Sequence, residues 1–253
     1  MKLYELINKI KLLANVFLPK TIGIDKVNFE NFDVKNIGIS RTATVAVIKK
    51  CIEEKINLLI VCEPIFYNLL DDTIPNEIAV KKKKLIENNN IIILRLSNFN
   101  YTESFNEFKN WGLSGEWQKR TNPSVNSFIF EKPLTAIQIA RTLEASLKIK
   151  HIKIVGCADE PGKRISACFA SEQLVLEELF YNDFIVSSES NKQLIVEIIN
   201  DCADFGINKS LILIPHSVSK DAGMTYLCDF IQYQFPNINC KYIECGEMYK
   251  YTD

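Results

Sequence analysis

Short apolar runs alternate with amphipathic segments along the whole chain. Nearly continuous, β-branched runs at Ile37–Ser40, Leu58–Val61, Ile91–Leu96, Ile152–Val155, Ile165–Phe169, Phe184–Val186, Leu211–Ile214 and Tyr242–Cys245 predict strands buried on both faces. Between them, apolar residues recur at three and four. Val45, Ile48, Cys51 and Ile52 form one such face, and Leu194, Ile195, Ile198, Ile199 and Cys202 another. A third is Met224, Leu227, Cys228 and Ile231. Thr135 and Gln138 have the spacing of a capping box ahead of Ala140, Leu143 and Leu147. This rhythm of strand and helix predicts an α/β fold with mainly parallel sheets covered by helices.

The polar stretch Tyr101–Ser127 carries both tryptophans, Trp111 and Trp117, together with Gly112, Gly115 and Pro123. It reads as a helix and then a connector, which divides the chain into an N-terminal lobe, 1–121, and a C-terminal lobe, 122–253, with a cleft between them. At 253 residues and 47% hydrophobic composition, the chain is long enough for two packed halves. The net charge of −1 gives no general attraction to nucleic acid or anionic membrane. The basic run Lys81–Lys84 sits in a helical pattern and reads as a solvated face.

Met1–Leu13 lacks the apolar core of a signal peptide, and no stretch reaches membrane-spanning length. The eight cysteines form no Cys-x-x-Cys pair, so the expected state is reduced thiols in a cytoplasmic protein. Cys240 and Cys245 fall on one expected strand at odd separation, hence on opposite faces.

Ligands of parallel sheets bind beyond the carboxyl ends of the strands. Cys62-Glu63-Pro64 follows one run and Ser97-Asn98 another. Ser187-Ser188-Glu189 and Pro215-His216-Ser217-Val218-Ser219-Lys220 follow two more. Their residue types supply a thiol, carboxylates, an imidazole and an amine. Each also has an ordinary role. Cys62 suits a buried thiol, Glu63 and Glu189 caps or ion pairs, and His216 a hydrogen-bonded strand-end group. Lys220 suits the first turn of a helix, and the tryptophans suit core packing or a ligand platform. His151, between two lysines, reads as structural.

The run Leu59-Ile60-Val61-Cys62-Glu63-Pro64-Ile65-Phe66-Tyr67-Asn68 resembles the Ile-Thr-His-Glu-Pro-Thr-Phe-Tyr-Asn motif of one branch of the NIF-three-like family. The segment Leu211–Met224 is similar to that branch's Gly-His-x-x-Ser-Glu-x-x-Gly-Met. Cys240–Met248, Glu189 and Arg95 fall in matching places and in the right order. Typical members are known as dinuclear-metal-centre proteins and type II GTP cyclohydrolases. The resemblance implies their two-lobed fold and a homo-oligomer, with a hexameric toroid as the family pattern.

It also implies a ligand set that this chain departs from. Cys62 replaces the first His of the motif, Ser97–Tyr101 contains no His or carboxylate, and Lys220 stands where the family has Glu. A two-metal site needs several anionic ligands, usually with a bridging carboxylate, and an ammonium cannot ligate while charged. Cys62, Glu63, His216 and Lys220 are therefore the candidate site residues. Three functions fit them. One is a small-molecule- or protein-binding scaffold, or pseudoenzyme, with no intact dinuclear site. Another is a hydrolase holding one divalent metal, most simply zinc, through Glu63, His216 and Cys62. The last is a metal-free enzyme with Cys62 as nucleophile and His216 as its base.

Overall fold

The computed structural model describes residues 1–14, 20–22, 32–68, 71, 76–96, 111–118, 125–169, 171–189 and 192–246. The chain forms two compact units, one of Met1–Asn100 with Asp221–Asp253 and the other of Tyr101–Lys220. This corrects a division between 121 and 122. The reason lies in the last strand, Asn239–Tyr242, which pairs in parallel with Asn36–Ile39 of the first unit and covers what would otherwise be a sheet edge.

The first unit contains α1 (Leu3–Ala14), β1 (Lys20–Ile22), β2 (Asn36–Ile39), α2 (Val45–Glu53), β3 (Leu58–Val61), α3 (Glu77–Asn88) and β4 (Ile92–Arg95). The final strand of the chain completes a five-stranded sheet in which it neighbours β2, in the order β1, β4, β3, β2 and then that strand. All neighbours are parallel except β1, which runs antiparallel to β4. Every residue of β3 and β4 is buried, as their unbroken apolar character requires. The helices start where side chains satisfy their first amides: Thr44 accepts from Val47 N and Asn76 from Ala79 N. Val47, Ile48 and Cys51 of α2 then pack with Ala79 and Ile86 of α3 in one core cluster with Leu59, Val61 and Ile93.

The second unit contains β5 (Gly115–Gln118), β6 (Val125–Leu134), α4 (Ala136–Leu147), β7 (Lys153–Gly156), β8 (Gly162–Cys168), α5 (Glu172–Leu179), β9 (Phe184–Ser188), α6 (Gln193–Asp204) and β10 (Ser210–Ile214). Its sheet has the order β5-β6-β8-β9-β10-β7. The strands β8, β9 and β10 are parallel, while β5, β6 and β7 join antiparallel at the margins. The capping box of Thr135 and Gln138 opens α4 as expected. Helix α7 (His216–Gln234) follows β10, and β11 is the returning strand Asn239–Tyr242.

Three sequence expectations need correction. Within 101–127, the described part holds β5 and the start of β6 rather than a connector; 101–110 and 119–124 lie outside the described residues. Polar Glu116 and Gln118 disguise β5 as a loop, which suits a strand at a sheet edge. Pro133 disguises β6, whose pairing with β8 shifts register between Ile129 and Leu134. The last strand begins and ends three residues earlier than its apolar run, so Cys240 lies on β11 and Cys245 beyond it.

The lysine run on α3 is also not a uniform solvated face. Lys81 is exposed and pairs with Glu77, whereas Lys82 is 3% exposed and turned inward. Among the described residues, no helix is long and apolar enough to cross a membrane.

Candidate functional site

In the first unit, Arg41 ties three elements together. It follows β2, where an apolar run ends and a chemical group emerges at the carboxyl end of a parallel strand. Its carbonyl accepts the amides of Cys62 at 3.2 Å and Glu63 at 3.1 Å, just beyond β3. The Cys62 thiol donates to the same carbonyl at 3.4 Å. The buried guanidinium reaches α7, with Nε 3.3 Å from Asp221 Oδ1. Burial raises the Tyr242 hydroxyl above the ordinary phenol range, and the adjacent Asp221 carboxylate adds to the shift. Ser40 donates to Ile243 O at 2.7 Å and lies 3.1 Å from Cys245 Sγ.

The turn after β3 is held by charge. Asp71 Oδ1 accepts the amides of Ile65 and Phe66, both at 2.8 Å. Its other oxygen lies 2.9 Å from Arg95 Nη1 at the end of β4. Lys82 reaches across from α3 to donate to Ile65 O at 2.5 Å, and its ammonium sits 4.9 Å from the centre of the Tyr67 ring. Burial pushes the Lys82 amine down to about 8, against the opposing pull of Asp71. Tyr67 at φ 66° and Asp71 at φ 49° both occupy the left-handed region. Such backbone is costly for residues with a Cβ and persists only where surrounding contacts enforce it.

In the second unit, His216 is the first residue of α7, directly after β10 and Pro215. Lys220 lies one helical turn further on, on the same helix face as His216. Glu189 follows β9. Its carboxylate pairs with Lys153 at 3.4 Å, and its amide donates to Ile214 O at 3.1 Å. It is not a helix cap, because α6 begins only at Gln193, after Lys192. Trp111 is a core residue, 3% exposed, packed with Phe128, Phe130 and Leu143. His151 precedes β7 at φ 62°. Ser97, Glu247 and the side chains of Trp117 and Lys220 lie outside the described residues.

The sequence model of the family described as Duf34/NIF3 (NGG1p interacting factor 3) matches residues 1–247. The chain belongs to the NIF3 family. No curated protein matches it. Among solved structures it is similar to a structural-genomics protein, ybgI, described as of unknown function. The TM-score is 0.76 and identity 16%, over 98% of this chain and 99% of that one. A Bacillus cereus protein related to NIF3 gives TM-score 0.76 and 11% identity, over 99% of each chain. A hypothetical protein of Staphylococcus aureus, SA1388, gives 0.75 and 14%, over 100% of this chain and 99% of the other. At such identities the likeness concerns the fold, which accords with a mixed α/β protein of parallel sheets flanked by helices.

The dinuclear centre implied by NIF3 resemblance would need imidazoles and carboxylates converging on two cations. Among the described residues, no group of three or more His, Cys, Asp and Glu side chains could hold a metal ion. Beside Cys62 and Glu63 the fold places the carbonyl of Arg41, which takes both their amides and the Cys62 thiol, while the Arg41 guanidinium pairs with Asp221. The groups described there offer one thiol, already donating its proton to a carbonyl, and one carboxylate, fewer anionic donors than two cations need. The donor set around the β3 turn therefore does not fit a two-metal cluster.

Sequence reasoning missed Arg41, Asp71, Lys82, Asp221 and Tyr242. Arg41 was within reach of the strand-end argument, since it follows an apolar run directly. Asp71 and Lys82 carry no such signal, because only the path of the chain brings them to the Ile65 amide and carbonyl.

Proposed function

We propose that this NIF3-family protein is a binding scaffold, and that a small molecule or a protein partner takes the place of two-metal hydrolytic chemistry. The observation that carries the reading is the state of Cys62. Where the resemblance puts a metal-ligating imidazole, its thiol donates to the Arg41 carbonyl, and the Arg41 guanidinium lies buried against Asp221. A thiol so engaged keeps its proton, whereas a metal ligand must be the thiolate, so it is a poor ligand for divalent ions. The Asp71, Arg95 and Lys82 contacts support the same reading, since they commit the polar groups of the turn to holding its shape.

The same proposal has the protein assemble with itself, as the family resemblance implies up to a hexamer, and act in the cytoplasm. Elemental analysis of protein purified without chelator tests the function. Well under two metal ions per chain is expected, with no gain on dialysis against zinc or manganese. Two tightly held ions per chain would overturn the scaffold reading. One ion accompanied by hydrolytic turnover would replace it with single-metal catalysis.

A further inference from the structure

Two cysteines far from the β3 turn in sequence stand against each other in the first unit. Cys228 lies on α7 and Cys240 on β11, and their Sγ atoms are 3.6 Å apart. The pair bridges a helix and a strand, so a bond between them would fasten the C-terminal half of α7 to the edge of the five-stranded sheet. The strand is also tied to the helix by a side chain: the Cys240 amide donates to Gln232 Oε1 at 3.0 Å, one turn along the helix from Cys228. A separation of 3.6 Å is van der Waals contact between the two sulfurs, with no atom between them.

We propose that Cys228 and Cys240 form a reversible, peroxide-sensitive dithiol, an oxidative modification site that clasps α7 to β11. Hydrogen peroxide is the oxidant. A thiolate of the pair attacks one peroxide oxygen, the O–O bond breaks, and water leaves with a proton from the medium. The product is a sulfenic acid. The second thiol then attacks the sulfenic sulfur, the S–O bond breaks, and a second water departs carrying the thiol proton. Two thiols and one peroxide thus become one disulfide and two waters, and an added dithiol reverses the change.

The geometry is supported by the pair's acid–base behaviour. The hydrogen bond between the two thiols lowers Cys228 below the ordinary thiol range, and burial works against it. The same contact raises Cys240. One member therefore ionises first and is the natural attacking group. Cys228 itself is buried, and the part-buried Cys240 in contact with it marks the side from which a small oxidant approaches the pair. The remaining cysteines serve as internal controls. Cys51 and Cys168 are fully buried, and burial pushes the Cys51 thiol up to about 12.

The test is peroxide treatment of the intact folded protein, followed by blocking of free thiols and chymotryptic mapping without reductant. Phe230, Tyr233 and Phe235 lie between the two cysteines, so cleavage there separates their peptides. The expected result is one cross-linked species joining the Cys228 and Cys240 peptides, lighter by two hydrogens, with both thiols protected from alkylation together. Dithiothreitol should restore both. Cys240→Ser should abolish the cross-link and leave Cys228 trapped as a sulfenic acid, detectable with dimedone. If both cysteines remain alkylatable after peroxide, or if Cys228 or Cys240 instead couples to Cys245, the proposal fails. Metal content does not enter this measurement, so its failure and that of the scaffold reading are distinguishable.

Discussion

Asp71 and Arg95 form a buried ion pair, Oδ2 to Nη1 at 2.9 Å, that joins the turn after β3 to the end of β4. The Asp71 side chain has no solvent exposure, and its second oxygen accepts two backbone amides. One carboxylate thus fixes both the path of the turn and the place of a neighbouring strand end.

Removing that carboxylate takes the Asp71 ion pair away from a buried guanidinium. Asp71→Ala is expected to destabilise the protein by about 3–5 kcal/mol, the usual cost of breaking such a pair from one side. Urea unfolding followed by circular dichroism measures it. Asp71→Asn with Arg95→Met should recover part of the loss, since the amide oxygen can still accept from Ile65 and Phe66 while the guanidinium charge is gone. A double variant no more stable than Asp71→Ala would show that neither the retained amide contacts nor the removal of the charge offsets the loss.

The lysine beneath the same turn sets a pH dependence. The folded-state pKa of Lys82 is pushed down to about 8 from 10.5 by burial. Between those values the unfolded chain holds a proton that the folded chain has released. Stability contributed by this group therefore rises with pH from about 8 toward 10.5 and is lowest below that window. Lys82→Met removes the effect. The stability of wild type relative to Lys82→Met is expected to rise by on the order of 1–2 kcal/mol between the two ends, after a discount for screening. Urea titrations of both proteins at matched pH check this, and a flat difference would contradict it.

In the second unit, Gly156 ends β7 at φ 89°. A methyl group there would meet the Lys209 carbonyl and the Ile199 side chain. Gly156→Ala combines left-handed strain with overpacking and should cost about 2–5 kcal/mol. Thermal unfolding reads the change, and Gly206→Ala is the comparison. That glycine also has a positive φ, but an added Cβ would have open space around it. It should show the backbone penalty alone.

How far the sequence reaches depends on how locally each feature is determined. Strands β3, β4, β9 and β10 are legible because burial on both faces demands unbroken apolar runs. Strands β5 and β6 are hidden because one lies at an edge and the other carries a proline beside a register shift. Lys82 looks like its neighbours in a basic run, and only the packing of α3 against the β3 turn turns it inward. The division into units fails from sequence for the same reason: the return of β11 to β2 is a contact between residues 200 apart in the chain, roughly, and no local pattern encodes it. At the candidate site, Cys62 and Glu63 were legible as strand-end groups, whereas their common anchor, the Arg41 carbonyl, is a backbone atom that no residue type announces.

The last expectation concerns the departure of Lys220 and Cys62 from the ligand set that the family resemblance implies. His216 and Lys220 stand four residues apart on α7, a spacing that puts both on one face of the helix. An imidazole and a charged ammonium are not a ligand pair, because the ammonium has no lone pair to offer a cation. Lys220→Glu gives an imidazole and a carboxylate one turn apart, a pair of the kind that ligates zinc, and it removes one positive charge while adding a negative one. At about 4 Å, exchanging repulsion for attraction toward a dication changes the interaction by several kcal/mol even at an effective dielectric near 20. Lys220→Glu combined with Cys62→His should therefore raise the zinc retained after dialysis above that of wild type, with the single Lys220→Glu variant intermediate. Inductively coupled plasma mass spectrometry on the three proteins, prepared side by side, gives the ratio directly. If the double variant holds no more zinc than wild type, the fold has lost more than its ligands, and the departure from the family's two-metal arrangement lies in the backbone as well as in the side chains.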